Sequence, residues 1–261
     1  MTTLSELFIQ IPGIGVKTVH KYKKLVSSDI KTIRQLRSTL IKLPQDKFEE
    51  LPVAAQADLL FQPVHRISRD IIKVVDNEFQ KHTNGIRFDI AGSYRREKPQ
   101  SGDLDIVIST RGADKLKTWE NFRKSINSKS RRVRIMEPFA GHEDKITVLF
   151  RVCLNKSLRE KLILESYHNK ARIRKENAIY IKADIFLTNP SEYIFALLFA
   201  TGSGRFNVRM RRLAKLKGYL LNQRGLYKKS NSELKLVPIK NEREIFDILG
   251  MRYREPKDRV A

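Results

Sequence analysis

The chain has a single cysteine, Cys153. No disulfide can form within it, and a reducing compartment is expected. Cys153 falls in the apolar stretch 148–154 and reads as a small buried hydrophobe. Acidic residues are scarce as well: 29 Asp and Glu stand against 52 Lys and Arg, a formal charge of +23 in 261 residues. A surface that basic attracts polyanions, nucleic acid foremost. No apolar run approaches the roughly 20 residues of a membrane span. The opening MTTLSELFIQ has no basic stretch ahead of a long apolar one, so no secretory signal is expected. With no amphipathic anchor or lipidation signal either, a membrane role is not expected. Internal repeats and low-complexity tracts are absent. Hydrophobic residues make up 41%, which excludes wholesale disorder and allows a real core.

What is present changes character along the chain. The first 64 residues read as short helices, over 31–40 and 54–61 and around Ile11-Pro12-Gly13-Ile14-Gly15-Val16-Lys17. There, two glycines flanked by aliphatics make a tight turn whose backbone N–H groups can approach a phosphate. A helix is predicted over 68–79, where Ile71, Ile72, Val75 and Phe79 recur at helical spacing. From Arg87 the period becomes two, predicting strands over 86–91, 104–108, 132–136, 146–154 and 178–187, with a helix over 115–126. Residues 155–177 read as a basic, weakly patterned insertion. Helices return over 193–199 and 208–216, and short strands and turns end the chain. The order predicts an α+β protein in three parts: 1–64 helical, 65–190 built on a mixed sheet, and 191–261 small and α/β.

The chemistry concentrates in Gly92-Ser93, Arg95-Arg96 and Gly102-Asp103-Leu104-Asp105. Strand alternation sends Leu104, Ile106 and Ile108 to one face and Asp103 and Asp105 to the other. Two carboxylates that close repel unless a cation or proton lies between them. Oxygen ligands of this kind suit Mg²⁺. Asp184 is the one acid in a later strand that otherwise looks structural. Three acids on neighbouring strands could hold two metals for in-line phosphoryl transfer. Gly92 and Ser93 would offer a backbone N–H and a hydroxyl to phosphates, and Arg96 positive charge.

GSYRREKPQSGDLDIVIST resembles the nucleotidyltransferase signature of the DNA polymerase X family, of which polymerase beta is the familiar member. YIKADIFLT resembles the strand with that family's third catalytic aspartate. LLFATGSGRFNVRMRRLAKLKG resembles its nucleotide-binding segment, and IFDILGMRYREPKDR its C-terminal end. IPGIGVKTVHKY is similar to its helix-hairpin-helix. The resemblance runs from about residue 9 to 259. It implies a catalytic palm with a mixed sheet, flanked by a helix-hairpin-helix subdomain and a small nucleotide-selecting subdomain. It further implies template-directed addition of deoxynucleotides to a primer 3′ hydroxyl, filling short gaps in DNA repair.

By position, the resemblance makes Asp103, Asp105 and Asp184 the ligands of two Mg²⁺ ions, with Mn²⁺ a substitute. Asp184 would help deprotonate the primer hydroxyl. Gly92, Ser93, Arg96, Gly102 and Arg66 would face the triphosphate. Phe199, Gly202 and Asn207 would surround the incoming sugar and base. Lys182 and Arg211 would touch DNA. Gly13, Gly15 and Lys17 would grip the duplex, and the backbone at Ile9, Ile11 and Ile14 would hold a monovalent cation against a DNA phosphate. Taken singly, these residues have plainer readings: Gly202 a turn, Phe199 core, Asn207 a helix cap or surface residue, Arg211 a solvated face.

The sequence also departs from the family. The lyase domain that precedes the second helix-hairpin-helix has no counterpart here, so no deoxyribose phosphate lyase activity is expected. Phe199-Ala200 stands for the usual Tyr-Phe, Lys182 for arginine, and Gly204 for a larger residue that would stack on the incoming base. Expected partners are gapped or primer-template DNA, deoxynucleoside triphosphates and a DNA ligase in the same pathway, with the chain a monomer. The expected location is intracellular: the nucleus in a eukaryote, or the virion and host cytoplasm for a virus. The competing readings are a template-independent nucleotidyltransferase of the terminal transferase kind and a non-catalytic DNA-binding module.

Overall fold

A computed structural model of the chain describes residues 2–64, 66–83, 86–110, 114–164, 173, 176–230 and 233–259. Two compact units divide it, residues 1–63 and 64–261. The first is all helical: α1 (Leu4–Ile9), α2 (Val19–Lys23), α3 (Ile33–Leu40), α4 (Gln45–Glu49) and α5 (Val53–Phe61). Such short helices need their ends satisfied. Thr3 caps α1 and Thr32 caps α3, each in a capping box, closed by Glu6 and Gln35 respectively. Phe8, Ile11, Ile14, Leu36, Leu40 and Leu59 form the core of this unit.

Gly13 sits at φ +82°, and a Cβ there would lie 2.9 Å from Pro52 Cβ. The turn between α1 and α2 therefore presses onto the start of α5 at a place where only glycine fits. Gly15 differs, with open space around it. Its N–H is satisfied by the Thr18 hydroxyl at 3.1 Å. The Ile11 carbonyl accepts from the Ile14 N–H at 3.1 Å, and Lys17 and Ile9 lie exposed.

The second unit opens with β1 (Ile67–Ser68) and α6 (Arg69–His82). Then follow β2 (Phe88–Ile90), α7 (Gly92–Arg95), β3 (Gln100–Ser101), β4 (Leu104–Ser109) and α8 (Lys115–Lys129). After them come β5 (Val133–Ile135), β6 (Ala140–His142), β7 (Lys145–Cys153), α9 (Lys156–Leu164) and β8 (Ala178–Thr188). The central sheet has the order β2-β4-β8-β7-β5, with β6 added alongside β7. Among the described residues only β4 and β8 pair in parallel, so the sheet is mixed.

Alternation decides what each face carries. Leu104, Ile106 and Ile108 of β4 and Ile181, Ala183 and Ile185 of β8 enter the main core with Ile71, Val75, Trp119 and Phe122 of α6 and α8. Phe79 is the hub of that core, meeting Phe122 at 4.9 Å, Phe88 at 5.4 Å and Phe150 at 5.7 Å. On the opposite face Val107 packs with Tyr193, Ala196 and Leu197.

Those last residues belong to α10 (Tyr193–Thr201), which leads into α11 (Gly204–Leu216). A three-stranded antiparallel sheet of β9 (Tyr219–Leu221), β10 (Leu226–Ser230) and β11 (Glu233–Leu236) follows, then α12 (Glu242–Ile248) and a 3₁₀ turn over Pro256–Asp258. Phe195, Phe206, Met210, Ile245 and Phe246 make a separate small core.

The structure corrects several local expectations. The helix predicted from 208 begins at Gly204, because the Ser203 hydroxyl accepts from Phe206 N–H and caps it. The C-terminal strands and turns include α12, capped by Asn241. The stretch read as a weakly patterned insertion opens with α9, while 165–172 and 174–175 lie outside the described residues. Cys153 is half-buried rather than buried, with the Arg151 guanidinium 3.0 Å from its sulfur. Because Phe79 is fully buried against three rings, Phe79→Ala is expected to cost about 3–5 kcal/mol. Urea denaturation of the full chain measures it; a loss below about 1 kcal/mol would show that the cluster is not a keystone.

Candidate active site

Register puts the acids together. In the parallel pair, Asp105 of β4 lies directly opposite Asp184 of β8, and across the antiparallel pair Thr147 of β7 lies opposite Asp184. All three occupy the face away from the main core. Asp184 is 7% exposed and both its oxygens are engaged. The Thr147 hydroxyl donates to Oδ1 at 2.7 Å, and the Lys145 ammonium pairs with Oδ2 at 2.9 Å. Asp103, one residue ahead of β4, is more open and meets Lys182 Nζ at 3.5 Å.

Asp105 takes the strain of this crowding. Burial first, then the charges of Asp103 and Asp184, push its carboxyl up to about 7; Lys145 and Arg96 act in the opposite sense. Gly92 presses on the same carboxylate. At φ +57°, it would carry a Cβ only 2.1 Å from Asp105 Oδ2 and 3.0 Å from its Cγ. Glycine is thus required twice over, by backbone conformation and by space. The Ala91 N–H also donates to the Asp105 carbonyl at 2.8 Å, which ties the start of α7 to β4.

Ser93 and Arg96 lie together, with Arg96 Nη2 donating to Ser93 Oγ at 3.0 Å. Arg96 Nη1 also donates to the Thr201 carbonyl at the end of α10. Gly202, at φ +70°, would bring a Cβ to 3.2 Å from that guanidinium. Phe199, Asn207 and Arg211 line one small hollow. In it the Asn207 amide donates to the Phe199 carbonyl at 2.8 Å, and the Arg211 guanidinium lies 5.0 Å from the Phe199 ring centroid. Asn207 lies inside α11, whose N-cap is Ser203, so its amide links α11 to the last turn of α10. Gly102 stands in open space just before Asp103. Arg66 is exposed ahead of β1, and no described contact draws it into this cluster.

The structure adds residues that the sequence did not single out. Lys145 and Thr147 could have been found from alternation on β7, once β7 was known to pair with β8. Glu242 and Arg259 could not, nor could the link of Glu242 to Arg95, because 147 and 17 residues separate the partners. Glu242 accepts from Arg95 at 2.8 Å and from Arg259 at 2.7 Å, and Arg95 also donates to the Thr201 hydroxyl at 2.7 Å. Arg259 is wholly buried, and its carbonyl accepts from Ser203 N–H at 3.1 Å. The C-terminal segment is thereby bound to the turn that carries Gly202.

Burial raises the Glu242 pKa, but the hydrogen bonds and charges of Arg259 and Arg95 outweigh it and hold the carboxyl below its ordinary value. The stability Glu242 contributes is complete above its ordinary pKa of about 4.5 and is lost as pH falls through the lower folded value. Glu242→Gln leaves buried Arg259 uncompensated and is expected to cost about 3–5 kcal/mol at pH 7. It should also flatten the acid limb of a stability–pH curve. An unchanged acid limb in thermal melts of the variant would refute this assignment.

Comparison with known proteins finds two family models on the chain. The family model described as DNA polymerase beta palm matches residues 65–138, and that described as DNA polymerase beta thumb matches 196–260. DNA polymerase lambda of Rattus norvegicus is 25% identical over 97% of the chain, which covers 42% of that relative. DNA nucleotidylexotransferase of Monodelphis domestica is 26% identical over 98% of the chain, covering 52% of the relative. The same-named protein of Xenopus laevis is 22% identical over 97%, covering 51%. The chain thus spans about half the length of the curated relatives it matches. With palm and thumb models matched in order along the chain, and relatives that align over 97–98% of it, the chain belongs to the DNA polymerase X family.

Proposed function

We propose that this chain is a template-directed DNA polymerase that fills short gaps, using Asp103, Asp105 and Asp184 to hold two divalent cations. The observation that carries the reading is the placement of Asp105 opposite Asp184 on parallel strands. Asp103 precedes one of those strands by a residue, and the buried carboxyl of Asp105 is pushed up to about 7. Such an excess of negative charge fits a cation with hard oxygen preferences, Mg²⁺ or Mn²⁺. Among the described residues no three His, Cys, Asp or Glu side chains already converge as a metal cage. Lysines hold two of the acids instead. Bound cations supply charge neutralisation at the triphosphate and acidify the attacking hydroxyl.

The remaining work falls to the chain's own groups. Ser93 and Arg96 meet the triphosphate beside Gly92, where the absence of a side chain lets Asp105 approach. Asp184 receives the primer hydroxyl proton, its carboxylate oriented by the Thr147 hydroxyl, which donates to Oδ1. Phe199, Gly202 and Asn207 shape the place of the incoming sugar and base, and Arg211 and Lys182 meet the DNA. In the first unit, the glycine turn and Lys17 grip duplex phosphates, with the carbonyls near Ile9, Ile11 and Ile14 around a monovalent cation. The alternative is template-independent addition, favoured by the two relatives named DNA nucleotidylexotransferase.

Primer extension with Mg²⁺ and four deoxynucleotides, on a one-nucleotide gapped duplex and on the bare primer, separates these readings. Templated addition on the gap is expected. Asp184→Ala should reduce it on the order of 10³-fold, and Gly92→Ala should do likewise by displacing Asp105. Addition on the bare primer alone would establish the terminal transferase reading. No addition on either substrate would leave a DNA-binding module.

A further inference from the structure

Lys145 is not among the residues that the proposed chemistry uses, yet its ammonium sits against Asp184 in the acidic cluster. Its ammonium has two partners there, and its backbone is held on both sides. Nζ lies 2.9 Å from Asp184 Oδ2 and 5.3 Å from the Phe186 ring centroid. Its backbone is pinned in register on both sides, opposite His142 of β6 and Phe186 of β8. The residue before it, Asp144, is itself anchored by Lys115 Nζ at 2.7 Å and by the Arg224 guanidinium. This start of β7 is therefore a fixed platform.

The same carboxylate has no oxygen to spare. Thr147 takes Oδ1 and Lys145 takes Oδ2. A cation that coordinates Asp184 through Oδ2 must displace the ammonium or share the oxygen with it. The second lysine of the cluster differs: Lys182 and Asp103 meet at 3.5 Å with both side chains about 40% exposed, a looser and better screened pair.

We propose that Lys145 is a built-in competitor for the divalent cation at Asp184: its ammonium neutralises the acids until the metal displaces it. The inference rests on the reading of Asp184 as a metal ligand. Without a positive group here, Asp105 and Asp184 would repel at close range in a poorly solvated place, with the charge of Asp103 nearby. A tethered ammonium relieves that repulsion reversibly. It also lowers the net negative charge that an arriving cation meets. Lys145 thus sets how much free metal the site needs, and acts as a positioning residue rather than a catalytic one. On displacement, its four-carbon stem allows the ammonium to swing toward solvent, where the side chain is already 37% exposed.

Mn²⁺ binding to the full-length chain, without DNA or nucleotide, tests this by the loss of the free-ion electron paramagnetic resonance signal at about pH 8.5, where protons compete least. Lys145→Met is expected to bind Mn²⁺ roughly tenfold tighter than wild type. Lys145→Arg keeps the charge and should stay near wild type. In metal-free thermal melts Lys145→Met should be less stable than wild type, and Mn²⁺ should raise its Tm by more. Lys145→Gln serves the same purpose if the methionine variant does not fold. Neutral variants that bind Mn²⁺ no tighter than wild type overturn the proposal. Asp184→Asn separates the two ideas. If it weakens binding while Lys145→Met changes nothing, only the competitor role fails. If it binds as wild type does, Asp184 is no ligand and both fail.

Discussion

Two carboxylates fixed opposite one another on parallel strands must repel, and the second unit is organised around containing that repulsion. The pairing of β4 with β8 puts Asp105 and Asp184 in register on one face, while the other face of the same strands is sealed into the main core. Neither acid can retreat, because a one-residue slip would turn Ile106 or Ile185 outward and a carboxylate inward. The charge is met instead by local partners: Thr147 and Lys145 at Asp184, Lys182 at Asp103, and Arg96 acting on Asp105. Gly92 is part of the same solution, since any Cβ would collide with the Asp105 carboxylate.

A second charged assembly links the site to the end of the chain. Glu242 lies between Arg95 and Arg259, and Arg95 and Arg96 both bond Thr201, one through its hydroxyl and one through its carbonyl. Buried ion pairs contribute little net stability compared with apolar packing, but they specify geometry strongly. Here they orient the α10–α11 turn, with Gly202 and Ser203, against the segment that carries Ser93 and Arg96. The hollow lined by Phe199, Asn207 and Arg211 is built from the two helices that flank this turn.

Much of this was legible in the residues themselves. Period-two alternation located β4, β7 and β8 within a residue or two and assigned Asp105 and Asp184 to the faces away from apolar neighbours. Helical spacing located α6 and α8. Where local signals were weak or depended on capping, the reading fell short. The start of α11 depends on the Ser203 cap, and α12 and the four-residue α7 carry too few residues for a periodic signal. Cys153 is half-buried because it ends its strand, a distinction that an apolar neighbourhood does not convey.

The sequence by itself determined the acids, the glycine beside them, the positive charge of the chain and the faces of its strands, because these follow from residue type and from a period that is purely local. Only the tertiary structure decided which strands are neighbours. With that came the register of Asp105 on Asp184, the capture of Asp184 by Lys145 and Thr147, and the clasp of Glu242 by Arg95 and Arg259. Strand order and long-range ion pairs depend on how distant segments bury their apolar faces together, and no local pattern encodes that choice.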